Sequence, residues 1–414
     1  MSEYRSRSLN PTDQREESHG VICALLIFYL LWEMPILALY MNTYVAMVLM
    51  VFLVAAVLLS VKPYRLSMSL TTIVIIYLAM TFLRDYVNNA QFVYNLWSRF
   101  LDFAPIVIGL QLVLNKADKV VKKIVPVIII TYTVTAITTY IGLETFPDAS
   151  RILATGEDHY LTYFKYNIGG FGFIYSLVVL HPMIVCVLRR KNKILSILFT
   201  LCAGLCIFKS AYTTAALLFL ASCVVYVFPL HGDMTKAKKW IRVIVIGLVF
   251  LLFLAPDLLD ALAEWDLLEG SAKKIKEVAE ILRSGSGPDS GSSASARQYM
   301  YDISIQAFVS SPIFGNVPFG SVNSGGHSFL LDSMADWGIF GAIMVAVVYL
   351  SFRGAFKTVA SGSSVYYFSV ASLGLAAILG VLNPELWTME LGLAIPLMMR
   401  YALILKKEQN NEHS

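Results

Sequence analysis

"SGGHSFLLDSMADWGIFGAIMVAVVYL" (residues 324–350) passes from a polar stretch into an apolar run that is long enough to cross a bilayer. A membrane-spanning helix needs about 20 apolar residues. Similar runs recur along the whole chain and are separated by short charged loops. Because every backbone polar group must be satisfied inside lipid, this pattern predicts an all-α bundle of membrane-spanning helices rather than a barrel.

The composition agrees with an integral membrane protein. Of the 414 residues, 57% are hydrophobic and only 14% are charged, whereas soluble domains usually carry about 25% charged residues. Hydropathy predicts about twelve spans and leaves no room between them for a soluble domain of normal size. The predicted spans are approximately residues 20–40, 43–61, 66–83, 100–115, 124–143, 167–188, 194–209, 211–229, 241–256, 327–350, 363–382 and 388–405.

The distribution of cationic residues predicts the orientation. If the N-terminus is cytoplasmic, the inner loops contain 18 Lys or Arg residues, against five at the short outer connections. Cationic loops stay on the cytoplasmic side because they resist translocation. We therefore expect both termini in the cytoplasm. Anionic lipid headgroups account for the net charge of +4, so no nucleic-acid partner is expected.

The expected organisation has five parts. They are a cytoplasmic tail at 1–19, nine spans within 20–256, a large extracytoplasmic loop at 257–326, three spans within 327–405 and a cytoplasmic tail at 406–414. The first tail is polar and lacks a cleavage signal, so it is not a cleaved signal peptide. The loop is far longer than usual and combines predicted surface helices with a Gly/Ser-rich linker at 284–296. All five cysteines fall in apolar spans, which indicates neither disulfides nor a metal site.

Two residues of the large loop and its end could carry chemistry. Arg297 opens a predicted helix, so its guanidinium and the free N–H groups of the first turn could converge on a phosphate. The alternative is a solvated surface arginine. His327 stands where the polar stretch meets the apolar run, and histidine can exchange a proton near neutral pH. The alternative for His327 is an interfacial histidine with no task.

The segments "SARQYMYDISIQAFVSSPIFG" (295–315) and "GGHSFLLDSMADWGIFG" (325–341) resemble the C-terminal signature of the O-antigen polymerase and O-antigen ligase superfamily. The shared order is an arginine, a helix, a Pro-to-Gly turn, a histidine and a later pair of glycines. Ser328 follows the histidine where many ligases have asparagine. This His-Ser form favours the chain polymerases.

The resemblance extends more weakly upstream. "SRILATGEDHYLTYFKYNIGG" (150–170) is similar to a family stretch with an arginine, a glycine and a later asparagine, which correspond here to Arg151, Gly156 and Asn167. "FKSAYTTAALLFLASC" (208–223) is similar to a break between two short spans. Many members have Ser-Arg at this break, whereas this chain has Lys209 before the serine.

The resemblance implies a GT-C-like glycosyltransferase of the bacterial cytoplasmic (inner) membrane, with its active site on the extracytoplasmic side. Its substrates would be oligosaccharides on undecaprenyl pyrophosphate, and the product an O-antigen, in lipopolysaccharide biosynthesis, or a capsule. A chain-length regulator and a flippase are the expected protein partners, besides membrane lipids. No cofactor or metal is expected. In agreement, the outer face has no Asp-x-Asp pair of the kind that holds Mg²⁺ or Mn²⁺ in sugar transferases.

The resemblance also implies roles for individual residues. His327 would take the proton of the acceptor hydroxyl as it attacks the anomeric carbon, with His159 as the second choice of base. Arg297 would stabilise the departing pyrophosphate. Direct displacement would invert the anomeric carbon. Further substrate contacts are expected from Arg151, Arg84, Arg99, Lys209, Ser328, Tyr301 and Asp332.

Other interpretations stay open at this point. Asp332 and Asp336 lie on one predicted helical stripe with Ser328, where they could line a groove or pair with an outer arginine. Glu33 in the first span has the same two interpretations. An O-antigen ligase would use the same donor but transfer the glycan to a lipid A core. A lipid-linked oligosaccharide flippase also has many spans, but such transporters commonly show internal repeats, and the sequence shows none.

Overall fold

The computed structural model describes residues 11–40, 43–60, 78–79, 81–87, 92–155, 160–230, 264, 276, 293–320 and 324–412. The predicted span 241–256, most of the predicted span 66–83 and most of the loop before residue 293 lie outside these residues. His159 and Gly156 also lie outside them.

Every regular element in the described part of the chain is helical, which confirms the all-α prediction. We number the α-helices α1 (Pro11–Trp32), α2 (Pro35–Ala38), α3 (Thr43–Ser60), α4 (Phe92–Leu114), α5 (Asp118–Thr145), α6 (Ala149–Thr155), α7 (Tyr160–Lys165), α8 (Phe171–Lys191), α9 (Lys193–Lys209), α10 (Thr213–Ser222), α11 (Ser293–Ser310), α12 (Phe329–Trp337), α13 (Ile339–Ala360), α14 (Ser364–Leu382) and α15 (Ile395–Glu412). Short 3-10 helices follow at Cys223–Val227 and Val317–Phe319, and a π-helical segment covers Glu390–Ala394.

Four of the described helices, α5, α8, α13 and α14, are long and apolar enough to cross a membrane. In the apolar stretch of α8, 83% of the residues are buried, against 33% for α13. α8 packs against α9, α14 and α15. It is therefore a central helix of the bundle, whereas α13 leaves most of its apolar surface free to face lipid.

Two predicted spans are interrupted. The span 20–40 breaks after α1 because Pro35 cannot continue the helix, and Glu33 lies in the break. The span 327–350 divides into α12 and α13 at Gly338, whose φ is +62°. A Cβ at Gly338 would lie 2.4 Å from the Ile313 carbonyl carbon, so glycine is required where the Pro312–Gly315 turn packs against the break.

The π-helical segment packs closely against α4. A Cβ at Gly109 of α4 would lie 2.1 Å from the Gly392 carbonyl oxygen, and a Cβ at Gly392 would lie 2.5 Å from the Ile106 side chain. Paired glycines allow two helical backbones to approach this closely. The contact holds the segment from Trp387 to Glu390 next to the core, where it lines a cavity of about 510 Å³.

Candidate functional site

The loop that carries His327 is held by the buried carboxylate of Asp332. One carboxylate oxygen accepts hydrogen bonds from Ser304 Oγ at 2.7 Å and from the Gly326 amide at 3.1 Å. The other accepts from the Ser328 amide at 3.1 Å. Asp332 is 6% exposed. We call this arrangement the Asp332 clamp, and it ties α11 to the loop 324–328 and to α12.

Two more contacts fix the same loop. Ser328 is buried, and its hydroxyl caps α12 by accepting from the Leu331 amide at 3.1 Å. Gly325 donates its amide to Ser304 Oγ at 2.8 Å. A Cβ at Gly325 would lie 2.0 Å from the Met300 carbonyl oxygen, so only glycine lets the loop run this close to α11. Ser328, an expected substrate contact, is therefore buried with its hydroxyl engaged, and it is not among the residues that line the cavity beside His327.

The imidazole of His327 projects from this fixed loop and is exposed. Its Nδ1 lies 2.9 Å from the Gly326 carbonyl oxygen. A carbonyl oxygen can only accept, so Nδ1 carries the proton in this contact. In the neutral ring, Nε2 is then the unprotonated nitrogen and can accept a proton from a ligand.

His327 lines a cavity of about 800 Å³, which we call the histidine cavity. Its walls come from α2, α6 and α7, from the start of α8, from the end of α14 and from the adjoining loops. They comprise Glu33, Pro35, Ala38, Leu153, Phe164, Gly170, Phe171, Gly172, Phe173, Tyr212, Gly326, His327, Leu382, Asn383, Pro384 and Glu385. This volume and mixed apolar and polar lining are typical of a site for an organic ligand.

Aromatic rings form one wall of the histidine cavity. The ring centroids of Phe171 and Tyr212 lie 5.9 Å apart, and those of Phe171 and Tyr175 lie 4.7 Å apart. The Tyr212 hydroxyl donates to the Ser150 carbonyl oxygen at 2.8 Å, which fixes the ring against α6. Such rings offer flat apolar faces for a sugar ring.

Asn383 also lines the histidine cavity, and sequence reasoning missed it. It is 3% exposed, and its Nδ2 finds no acceptor among the described residues. Its carbonyl oxygen accepts from the Phe329 amide at 2.9 Å, which joins the end of α14 to the start of α12. The only available signal was a polar "NPE" sequence between two apolar runs, at Asn383–Glu385.

Arg84 is a cation that contacts both the loop 324–328 and α12. Its Nε lies 2.9 Å from Asp336 Oδ2, and its Nη2 donates to Ser324 Oγ at 2.9 Å. Of the two interpretations that the sequence left open for Asp336, pairing with an arginine is thus the one observed. Burial raises the pKa of Asp336 to about 6, and the positive charge of Arg84 opposes this rise. Asp336 lies in α12, before the membrane-spanning α13.

The other predicted arginines are placed only through their backbones. α11 begins at Ser293, one turn before the start that we expected, because Ala294 and Ala296 favour helix. Arg297 is therefore the fifth residue of α11, and the free N–H groups of the first turn precede it. Arg151 is in α6, whose Leu153 lines the histidine cavity. Arg99 is in α4.

Two other predicted contacts are engaged with the protein. Lys209 ends α9, at the predicted break between spans, and its Nζ lies 3.0 Å from Glu144 Oε1. The Tyr301 hydroxyl donates to the Leu382 carbonyl oxygen at 3.0 Å, so it joins α11 to α14. Neither residue is among those that line the histidine cavity.

Two buried polar residues are structural. Asn167, at φ +52°, donates to Thr138 Oγ1 at 2.9 Å and accepts from the Ile36 amide at 3.2 Å. The ring nitrogens of buried His181 lie 3.0 Å from Thr200 Oγ1 and 2.7 Å from Ser222 Oγ. Both nitrogens of this histidine are therefore satisfied by protein groups.

Within the described ranges, no group of three His, Cys, Asp or Glu side chains is placed to hold a metal ion. In comparisons with known proteins, no family model matches the chain, and no curated protein matches it. The functional assignment therefore depends on the geometry of the histidine cavity and on the residues around it.

Proposed function

We propose that this protein is a polysaccharide polymerase of the O-antigen or capsule type. It transfers a glycan from undecaprenyl pyrophosphate to a sugar hydroxyl of another lipid-linked repeat unit. The observation that carries the proposal is the exposed imidazole of His327, which is held by a fixed loop and lines a cavity of about 800 Å³. A proton acceptor beside a cavity of this size suits the activation of a bound hydroxyl group.

The reaction has one displacement step. His327 Nε2 takes the proton of the acceptor hydroxyl while its oxygen forms a bond to the anomeric carbon of the donor. The bond from that carbon to the phosphate oxygen breaks, and the undecaprenyl pyrophosphate leaves with the electron pair. Attack opposite the leaving group inverts the anomeric carbon. A general base contributes about 10²- to 10⁴-fold to such a rate, so stabilisation of the leaving group must provide much of the remainder.

Positive charge for the leaving pyrophosphate comes from the arginines of the outer side. Arg297 is our first candidate, because α11 also provides Ser304 to the Asp332 clamp. Arg84 is bonded to Ser324 of the same loop as His327, and Arg151 is in the helix that provides Leu153 to the cavity. Guanidinium groups bind phosphate oxygens in bidentate fashion, which favours arginine for this role.

The membrane arrangement is part of the proposal. Four described helices are long and apolar enough to cross a bilayer, which supports membrane association. We propose about twelve spans in a GT-C-like bundle, with both termini in the cytoplasm and the histidine cavity on the extracytoplasmic side of the bacterial inner membrane. The lipid-linked substrates would then reach the cavity from the outer leaflet, after a flippase has delivered them.

The proposal is tested with purified protein in proteoliposomes that contain lipid-linked repeat units. We expect His327→Ala and Arg297→Ala each to abolish long glycan, while Arg353→Ala serves as the matched arginine control and retains it. His159→Ala tests the second choice of base, and it should also retain long glycan. Arg353 contacts Tyr366, far along α13 from the loop. Full polymerisation by both the His327 and the Arg297 variant, or its loss in the wild type on chelation of metal ions, would refute the proposal.

The acceptor substrate distinguishes a polymerase from a ligase. Incubation with a lipid A core and one lipid-linked glycan should give no product, whereas two lipid-linked repeat units should give a ladder. Transfer to the lipid A core would identify a ligase. Movement of the lipid-linked glycan between leaflets without any new glycosidic bond would identify a flippase instead.

A further inference from the structure

A second cavity, of about 510 Å³, adjoins the histidine cavity. We call it the glutamate cavity, after Glu33, Glu385 and Glu390 in its wall. The residues that line both cavities are Glu33, Gly172, Phe173, Pro384 and Glu385. A ligand made of several linked units could therefore extend from one cavity into the other.

Two carboxyl groups of this cavity, those of Glu33 and Glu390, accept hydrogen bonds from hydroxyl groups of the protein. Glu390 is 5% exposed and accepts a hydrogen bond from Ser176 Oγ. Tyr132 contacts the same serine, and Tyr29 donates to the Glu33 carboxylate. Carboxyl groups at membrane depth are costly and commonly mark a ligand site. This set of acceptors and hydroxyl groups can exchange hydrogen bonds with a polyol.

The indole N–H of Trp387, in the same wall, is a buried donor without an acceptor in the described part of the chain. Trp387 is 4% exposed. Trp387 also has a φ of +56°, a conformation that is costly for a bulky residue. A buried N–H group without an acceptor costs about 1–3 kcal/mol until a partner satisfies it. This unpaired donor therefore favours a ligand that brings oxygen acceptors.

Aromatic rings connect the two cavities. The Trp387 ring centroid lies 6.1 Å from that of Tyr175, which lies 5.7 Å from that of Tyr212 in the histidine cavity. Tyr132 and Phe173 stack at 5.6 Å on another part of the wall. Flat rings beside a few placed polar groups are typical of sites for small organic ligands.

We infer that the glutamate cavity binds neutral sugar units of the acceptor glycan. The inference depends on the proposed function, because it takes its ligand from a sugar transfer. None of the described lining residues is Lys, Arg or His. The cavity therefore offers a pyrophosphate group no counter-charge, while the glutamate oxygens can accept hydrogen bonds from sugar hydroxyls. A single cation would need a much smaller enclosure than about 510 Å³.

Gly172 offers a direct test of the shared wall. A Cβ added at Gly172 meets no atom within 4 Å, so a side chain can begin there without a clash. Gly172→Leu should obstruct the space between the cavities. Gly374→Leu is the matched control, because Gly374 is an exposed glycine of α14 with equally open space and lines neither cavity.

The measurement is saturation-transfer difference NMR on the full-length protein in detergent. The probes are galactose and N-acetylglucosamine, and the binding of inorganic pyrophosphate, which has no carbon-bound protons, is followed by the broadening of its phosphorus resonance. We expect the wild type to bind at least one of the two sugars, and Gly172→Leu and Glu390→Gln each to weaken that binding by about tenfold or more. Pyrophosphate binding should be the same in both variants as in the wild type. Trp387→Phe, which removes only the indole N–H, should weaken sugar binding by about tenfold or less.

The outcomes separate this site from the proposed function. No sugar binding, or sugar binding that neither Gly172→Leu nor Glu390→Gln weakens, would overturn the inference even in a protein that makes glycan. Thermal stabilisation by sodium that Glu390→Gln removes, without any sugar signal, would assign the cavity to a cation and overturn it as well. Sugar binding that the variants weaken as expected supports the site. If the same protein forms no glycosidic bond, the sugar site stands and only the proposed transferase activity is rejected.

Discussion

Removal of the Asp332 carboxylate should release the loop that carries His327. In Asp332→Ala, the Gly326 and Ser328 amides and the Ser304 hydroxyl all lose their acceptor. A hydrogen bond to a charged group contributes about 1.5–3 kcal/mol, and each 1.4 kcal/mol is a tenfold change in an equilibrium. We therefore expect the two amides to exchange with deuterium about 10- to 100-fold faster than in the wild type.

The same change should lower the free energy of unfolding. Three lost bonds at about 1.5 kcal/mol each give roughly 4–5 kcal/mol, and the variant no longer buries a carboxylate, which offsets about 1–2 kcal/mol of that loss. We expect a net loss of about 2–4 kcal/mol. Asp332→Asn keeps one oxygen acceptor, so its effect on exchange and on stability should be intermediate.

Hydrogen–deuterium exchange of the peptide that covers residues 324–331 measures the first effect. Thermal denaturation in detergent measures the second. Asp302→Ala is the matched control, because Asp302 is an exposed carboxylate on α11. Unchanged exchange of residues 326–328 in Asp332→Ala would refute the clamp. A change of equal size in Asp302→Ala would show that the effect is not specific to the buried carboxylate.

Two further predictions concern α12 and its ends. Gly338→Ala should lower the free energy of unfolding by about 2–4 kcal/mol, because alanine is strained at φ +62° and its Cβ would meet Ile313. Gly354→Ala, at an open position of α13, is the control and should change the free energy of unfolding far less. Burial raises the pKa of Asp336 to about 6, so the folded protein binds more protons than the unfolded chain between about pH 4 and pH 6. The stability of the wild type relative to Asp336→Asn should therefore fall by about 2 kcal/mol as the pH rises through that window. Denaturation midpoints of both proteins at pH 4.5, 5.5 and 7 check this, and a constant difference would contradict it.

Local patterns allowed most helices to be predicted. Apolar runs of suitable length give α3, α8, α9 and α14 within a few residues of their observed bounds, whereas the predicted span 327–350 covers α12 and only about half of α13. The division at Gly338 could not be predicted in this way, because hydropathy averages over a window and does not register a single positive φ. The same holds for the break at Glu33, where one proline ends a helix inside an apolar run.

The site itself depends on contacts between distant parts of the chain. Ser176 and Glu390 are 214 residues apart, and Arg84 and Ser324 are 240 residues apart. Hydropathy and motif spacing carry no information on such pairs. The "GGHS" motif therefore located His327 and its loop, whereas the cavity around them, with Asn383, became visible only from the packing of α8, α12 and α14.

Through the Asp332 clamp, the position of the His327 imidazole depends on the packing of α11. Ser304 reaches the carboxylate from α11, and the carboxylate in turn holds the two amides on either side of His327. If α11 were to undock, the base would lose its alignment together with the helix that bears Arg297. In the proposed reaction, proton transfer to His327 and stabilisation of the leaving group would then be lost together, so that a lipid-linked donor would be protected from hydrolysis while no acceptor is bound.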